Sequence, residues 1–169
     1  NFNDNFSIPY DFSDQIKSIY ETDFIWIAHQ SGIRIWDIKE KSLRANNVKG
    51  ISVDVINDFC ESVEFIFVAT EQGLFRITKS SQEAYRFHQA LNNEAIKRIE
   101  SGNNHLILTT RFGVKLLDLR SETLGNLSDR ILLSTTHLQK IKKVGSRIFL
   151  LKKGGFSALE VNDLNFLFD

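Results

Sequence analysis

The chain has 169 residues, 42% of them hydrophobic, and its 21 basic and 21 acidic side chains leave it formally neutral. That length and apolar content suit one soluble domain with a sizeable core, and the lack of a basic excess argues against general nucleic-acid binding. No run approaches the roughly 18 apolar residues that a membrane-spanning helix needs.

The first apolar pair, Ile16 and Ile19, is followed by Phe24–Ala28, then Gly32 with the mixed stretch Ile33–Ile38, and last the more polar Ser42–Asn46. The same order returns as Ile56 and Phe59, Phe65–Ala69, Gly73 with Leu74–Ile77, and Ala84–His88. It returns again as Ile96 and Ile99, Leu106–Thr109, Gly113 with Val114–Leu119, and Arg130–Thr135. The last round is Leu138 and Ile141, Ile148–Leu151, Gly155 with Phe156–Val161, and Leu164–Phe168. The anchoring glycines are 41, 40 and 42 residues apart, which marks a repeat protein with one supersecondary unit per period.

Each unit predicts four strands. The second segment is too short for a buried helix, is rich in Ile, Phe, Val and Trp, and lacks polar residues at alternate positions, so it reads as a strand covered on both faces. The short turns before the glycines, such as Thr70-Glu-Gln-Gly73, predict antiparallel hairpins, because glycine tolerates positive φ. A polar fourth segment fits an outer, solvated rim. Helical repeats have periods of similar length, but only Ser13–Tyr20 and Gln82–Lys97 offer candidate helices, and neither sustains a helical period. The predicted fold class is all-β, four four-stranded β-propeller blades over residues 13–50, 51–92, 93–135 and 136–169. They form one domain, as a small ring or as part of a larger propeller.

Ile16-Lys-Ser-Ile-Tyr-Glu21 with Ile25-Trp-Ile-Ala28 and Gly32-Ile33 resembles the two-component-regulator propeller repeat, and Phe67-Val-Ala-Thr-Glu-Gln-Gly-Leu74 resembles it about as well. The second motif is equally similar to the citron-homology propeller. Gly32-Ile-Arg-Ile-Trp-Asp37 looks like the closing strand of a WD repeat, although the other units lack the Trp-Asp pair. The regulator resemblance implies an extracytoplasmic domain that senses a small molecule or glycan.

Charge is uneven along the chain. Between Val53 and Gln72 the charged residues are all acidic: Asp54, Asp58, Glu61, Glu64 and Glu71. Between Leu138 and Gly154 they are all basic: Lys140, Lys142, Lys143, Arg147, Lys152 and Lys153. Apart from Glu71, these are the candidate partner-binding residues, since complementary charge speeds encounter and fixes orientation. The partner would be a protein, another part of the same larger propeller, or a second copy in a homodimer, with no nucleic acid and no membrane insertion.

The four histidines and the single cysteine, Cys60, show no metal-ligand spacing, and no nucleophile elbow or phosphate loop is present. No catalytic residue, metal or cofactor is therefore expected. Trp26 and Trp36 read as blade core, and Cys60 as a buried small hydrophobe. The leading expectation is a non-catalytic, cytoplasmic protein-interaction scaffold within a larger protein. The alternatives are a periplasmic input domain of a two-component regulator and a propeller enzyme acting on glycans. The chain lacks methionine entirely, Asn1 included, which favours a fragment or a processed product.

Overall fold

The computed structural model describes residues 16–21, 23–29, 32–45, 48–51, 56–80, 82–102, 104–126, 138–152 and 154–160. Their strands form four antiparallel sheets in strict chain order. Blade 1 is β1 (Ile16–Glu21), β2 (Phe24–His29), β3 (Gly32–Asp37) and β4 (Ser42–Ala45), and blade 2 is β5 (Ile56–Glu61), β6 (Phe65–Thr70), β7 (Gly73–Thr78) and β8 (Ala84–Arg86). Blade 3 is β9 (Ile96–Ser101), β10 (His105–Thr110), β11 (Gly113–Asp118) and β12 (Leu124–Asn126); blade 4 shows β13 (Leu138–Val144), β14 (Arg147–Lys152) and β15 (Gly155–Glu160). The innermost strands follow one another in space, β1 against β5, β5 against β9, and β9 against β13.

Alternation along β6 explains its unbroken apolar sequence. Ile66 and Val68 join Trp26, Ala28, Ile33 and Ile35 in the core between blades 1 and 2. Phe67 and Ala69 point the other way, into the core with Leu91, Ile96, Ile99, Leu106 and Leu108 between blades 2 and 3. Both faces are dry, so neither set of positions can be polar. Each buried Ile, Val, Leu or Phe among them contributes roughly 2 kcal/mol by leaving water.

The innermost strands share an irregularity as well as a sequence pattern. Register against the second strand slips once per blade, between Ile16 and Ser18, Ile56 and Asp58, Ile96 and Arg98, and Leu138 and Lys140. One extra residue, Lys17, Asn57, Lys97 or Gln139, is left out of the ladder as a β-bulge, which bends and twists the strand.

The hairpins between second and third strands close on the anchoring glycines, pairing His29 with Gly32, Thr70 with Gly73, Thr110 with Gly113, and Lys152 with Gly155. Thr70 Oγ1 accepts from Gln72 N at 3.0 Å and donates to Gly73 O at 2.7 Å, and Thr110 Oγ1 likewise accepts from Phe112 N at 3.1 Å. The third-to-fourth-strand turns use an aspartate instead. Asp37 Oδ1 accepts from Lys39 and Glu40 N, each at 2.9 Å, and Asp118 Oδ1 accepts from Arg120 and Ser121 N at 2.7 and 2.8 Å. The Trp36-Asp37 pair that looks like a WD signature thus has its aspartate in a turn and its tryptophan buried.

One expected strand is corrected. The outer strand of blade 3 is Leu124–Asn126, which pairs with Lys115–Leu117. The Asp118 turn is tight enough to return the chain to β11 at once. The expected strands Arg130–Thr135 and Leu164–Phe168 lie outside the described residues. Within Gln82–Lys97 the only helical element is one 3-10 turn, Gln89–Leu91.

Gly73 has φ +123°, and a Cβ there would lie 2.7 Å from Leu91 O. This is where the blade 2 hairpin meets the linker to blade 3, with Asn93 N donating to Gln72 O at 3.0 Å. Gly73→Ala combines left-handed strain with a backbone clash and is expected to lower unfolding free energy by about 2 kcal/mol or more. Gly145→Ala, at φ +60° with open space around it, isolates the strain alone at about 1 kcal/mol. Denaturant midpoints of both variants check the difference.

Candidate functional site

Two concavities involve charged or aromatic side chains of the blades. The smaller, of about 390 Å³, lies among the innermost strands of blades 2, 3 and 4 and is lined by Asp58, Arg98, Glu100, Gln139, Lys140 and Lys142 together with Phe59, Ile99 and Ile141. Its polar groups stitch one blade to the next. Asp58 Oδ2 accepts from Ile99 N at 3.3 Å, and Glu100 Oε1 accepts from Lys143 N at 3.0 Å and lies 3.3 Å from Lys142 Nζ. Asn57 Nδ2 donates to Ile96 O at 2.8 Å and to Glu71, whose carboxylate also pairs with Lys97.

The larger concavity, of about 630 Å³, opens between blades 2 and 3 at the end of the sheets that carries the first-to-second and third-to-fourth-strand turns. Its floor is Phe65, Phe67 and Phe87, with neighbouring ring centres 6.1 and 5.4 Å apart. The Arg76 guanidinium is held between two of those rings, 5.0 Å from the centre of Phe65 and 4.9 Å from that of Phe87. Rings grip its faces through cation–π attraction, which leaves its edges as a planar fork for an anionic group. Glu61, paired with Lys79, stands at the rim beside Glu64 and Glu122. The arrangement can seat a small ligand with an apolar body on the phenyl floor and an acidic group on Arg76.

Arg76 was not among the sequence candidates, although the repeat carries a signal for it. Strand pairing makes it equivalent to Ile35, Leu116 and Ala158, each of them apolar. A cation in a position that the other units fill with apolar side chains is the anomaly that comparison of the units would have exposed.

The charged residues of the two runs lie in several places on the blades. Asp58 shares the smaller concavity with Lys140 and Lys142, whereas Glu61 and Glu64 belong to the larger one. Lys143 is half-buried on β13, and Arg147 pairs with Glu160 on the neighbouring strand. Lys152 is placed by its backbone pairing with Gly155. Asp54 and Lys153 lie outside the described residues.

Burial pushes the Asp58 carboxyl above its ordinary range, against the opposing pull of the Ile99 and Phe59 N–H groups. Cys60 is buried, and burial with nearby carboxylates raises its thiol well above the usual value, consistent with an inert small hydrophobe. Glu71 is lowered by its hydrogen bond from Lys97. Burial raises Asp118 but is outweighed by the Ser121 and Arg120 N–H groups, leaving it lowered, and its carboxylate stands 3.2 Å from His105 Nε2. Among the described residues no group of three or more metal-ligating side chains converges.

No family model matches the chain, and no curated protein matches its sequence. Solved structures match its fold. The extracellular domain of the hybrid two-component system BT3049 from B. thetaiotaomicron superposes on 89% of this chain with a TM-score of 0.65 and 16% identity. The extracellular domain of the one-component system BT4673 from the same organism does so over 85%, with a TM-score of 0.66 and 20% identity. The chain spans 21% of the length of each. The computationally designed protein Ika4 matches 88% of the chain at a TM-score of 0.67 and 13% identity, and 92% of Ika4 is covered.

The chain is built of β-propeller blades. Among the described residues no helix is long and apolar enough to cross a membrane.

Two outcomes test the polar groups. Because the folded-state value of Asp58 is raised, the folded protein holds its proton more tightly, so this group's contribution to stability falls as pH rises from the ordinary carboxylate value through the raised one. Asp58→Asn should remove that decline, so that the rise of unfolding midpoint with pH to which the lowered Glu71 and Asp118 carboxyls contribute becomes steeper on the acid side. Arg76→Ala should cost about 1 kcal/mol by loss of both ring contacts, and Arg76→Lys should recover only part of it, both measured by denaturant unfolding.

Proposed function

We infer that the chain supplies blades to an extracytoplasmic propeller that senses a ligand as the input part of a two-component-type regulator. The observation that carries this reading is the likeness to the extracellular domains of a hybrid two-component system and a one-component system over 89% and 85% of the chain. The Ile-Trp-Ile-Ala and Gly-Ile elements of the first unit, which resemble the regulator repeat, point the same way. Rigid sheets that carry turns at their ends suit ligand capture without catalysis. The groove around Arg76 is the surface this reading assigns to the signal.

The cytoplasmic interaction scaffold has less support. The likenesses that bear on compartment are to extracellular domains.

Compartment separates the two readings. Val63, in the turn between β5 and β6, is 92% exposed. In intact cells producing the full-length protein, Val63→Cys should take up a membrane-impermeant maleimide beyond the level of the parent protein. Labelling that appears only after the cytoplasmic membrane is permeabilised would overturn the sensor reading.

A further inference from the structure

The four blades offer an internal comparison, since strand pairing fixes which residues are equivalent. Ala28 opposite Ile33, Ala69 opposite Leu74, Thr109 opposite Val114, and Leu151 opposite Phe156 occupy one place in successive units. In blades 1 and 2 that place faces the blade that follows in sequence. Ala28 and Ile33 pack with Ile56 and Phe59 of the next unit and with Val48 of the connection to it, and Ala69 and Leu74 pack with Ile96 and Ile99 of the next unit and with Leu91 of the connection. Ala28, Ile33, Ala69, Leu74 and Val114 are at most 1% exposed, and Thr109 is 6% exposed.

Blade 4 departs from this. Leu151 is 44% and Phe156 is 69% exposed, and Ala158, equivalent to the buried Ile35 and Leu116, is also exposed. Phe149 and Phe156 lie with ring centres 6.0 Å apart on this face. The opposite face of the same blade is dry, with Ile141, Ile148 and Leu150 buried. One side of blade 4 is therefore finished as a blade interface, while the other has the composition of an interface and lacks its cover. A contiguous exposed apolar patch of this kind marks a surface built to be covered.

We propose that the Phe149, Leu151, Phe156 and Ala158 face of blade 4 receives a fifth blade, a four-stranded β-unit of the same repeat type supplied by the polypeptide that follows this chain. Continuity chooses this occupant. Where the core clusters define the contact, each such face is taken by the unit next in sequence, and the same geometry repeated once more puts another unit here. The apolar cover it must present is that of Ile56, Phe59, Ile66, Val68 and Ile77 against blade 1. The proposal does not depend on the sensor reading, because a scaffold propeller would extend in the same way.

Photo-crosslinking in the full-length protein tests it. Phe156→p-benzoylphenylalanine keeps an aromatic side chain at an exposed position, and Leu151→p-benzoylphenylalanine is the second variant should the first fail to fold. The expected result is an intramolecular crosslink to a peptide beyond residue 169, identified by mass spectrometry. A crosslink to residues 16–45 would mean that blade 1 closes a four-bladed ring on this face and would overturn the proposal. A band at twice the chain mass would assign the face to a second copy, and no crosslink from either variant would leave it to solvent; each of these also overturns it.

Discussion

A propeller blade is a sheet with two apolar faces, and neither can be left to water. Everything else in this chain follows from that demand. It forces β6 to be apolar at consecutive positions, because Ile66 and Val68 serve one neighbour and Phe67 and Ala69 the other. It also makes the units interdependent: at roughly 2 kcal/mol for each buried Ile, Leu or Phe, the contacts between blades outweigh any single polar contact within them. The stability of such an array is a sum over neighbours, so the last unit on an open side is the weakest.

Polar contacts within this frame align the blades. Asp58 and Glu100 each reach across to an N–H group of the next innermost strand, at 3.3 and 3.0 Å, so adjacent blades are keyed in height as well as packed. The turns are set locally, by Thr70 and Thr110 at one end and by Asp37 and Asp118 at the other. Against that background Arg76 stands out as a cation placed where a blade core is otherwise apolar, with aromatic rings supplying the counterpart that a carboxylate would supply elsewhere.

The repeat made the strands legible, because a period near 41 residues with a glycine at a fixed place leaves little freedom in where a hairpin closes. Gly32, Gly73, Gly113 and Gly155 all close hairpins. The outer strand of blade 3 was misplaced because outer strands carry little apolar pattern, and the Asp118 turn that sets Leu124 opposite Leu117 depends on backbone geometry. The site was less legible still. Runs of like charge along the chain mislead in a strand: Asp58 lies against Ile99 of the next innermost strand, whereas Glu61 ends β5 beside the turn to β6, so the two line different concavities. Arg76 could have been found by laying the units over one another, whereas its two ring partners come from β6 and from the residue just after β8 and needed the fold.

The bulge repeated in every innermost strand has a consequence for how such a protein can change. Asn57, Lys97 and Gln139 sit outside their ladders, so their identity is released from the apolar requirements that bind their neighbours. An amide, an ammonium and a second amide already occupy these places without disturbing the register on either side. Together they make a collar whose side chains act between blades rather than within them, as the Asn57 amide does in bridging to Ile96 O and to Glu71.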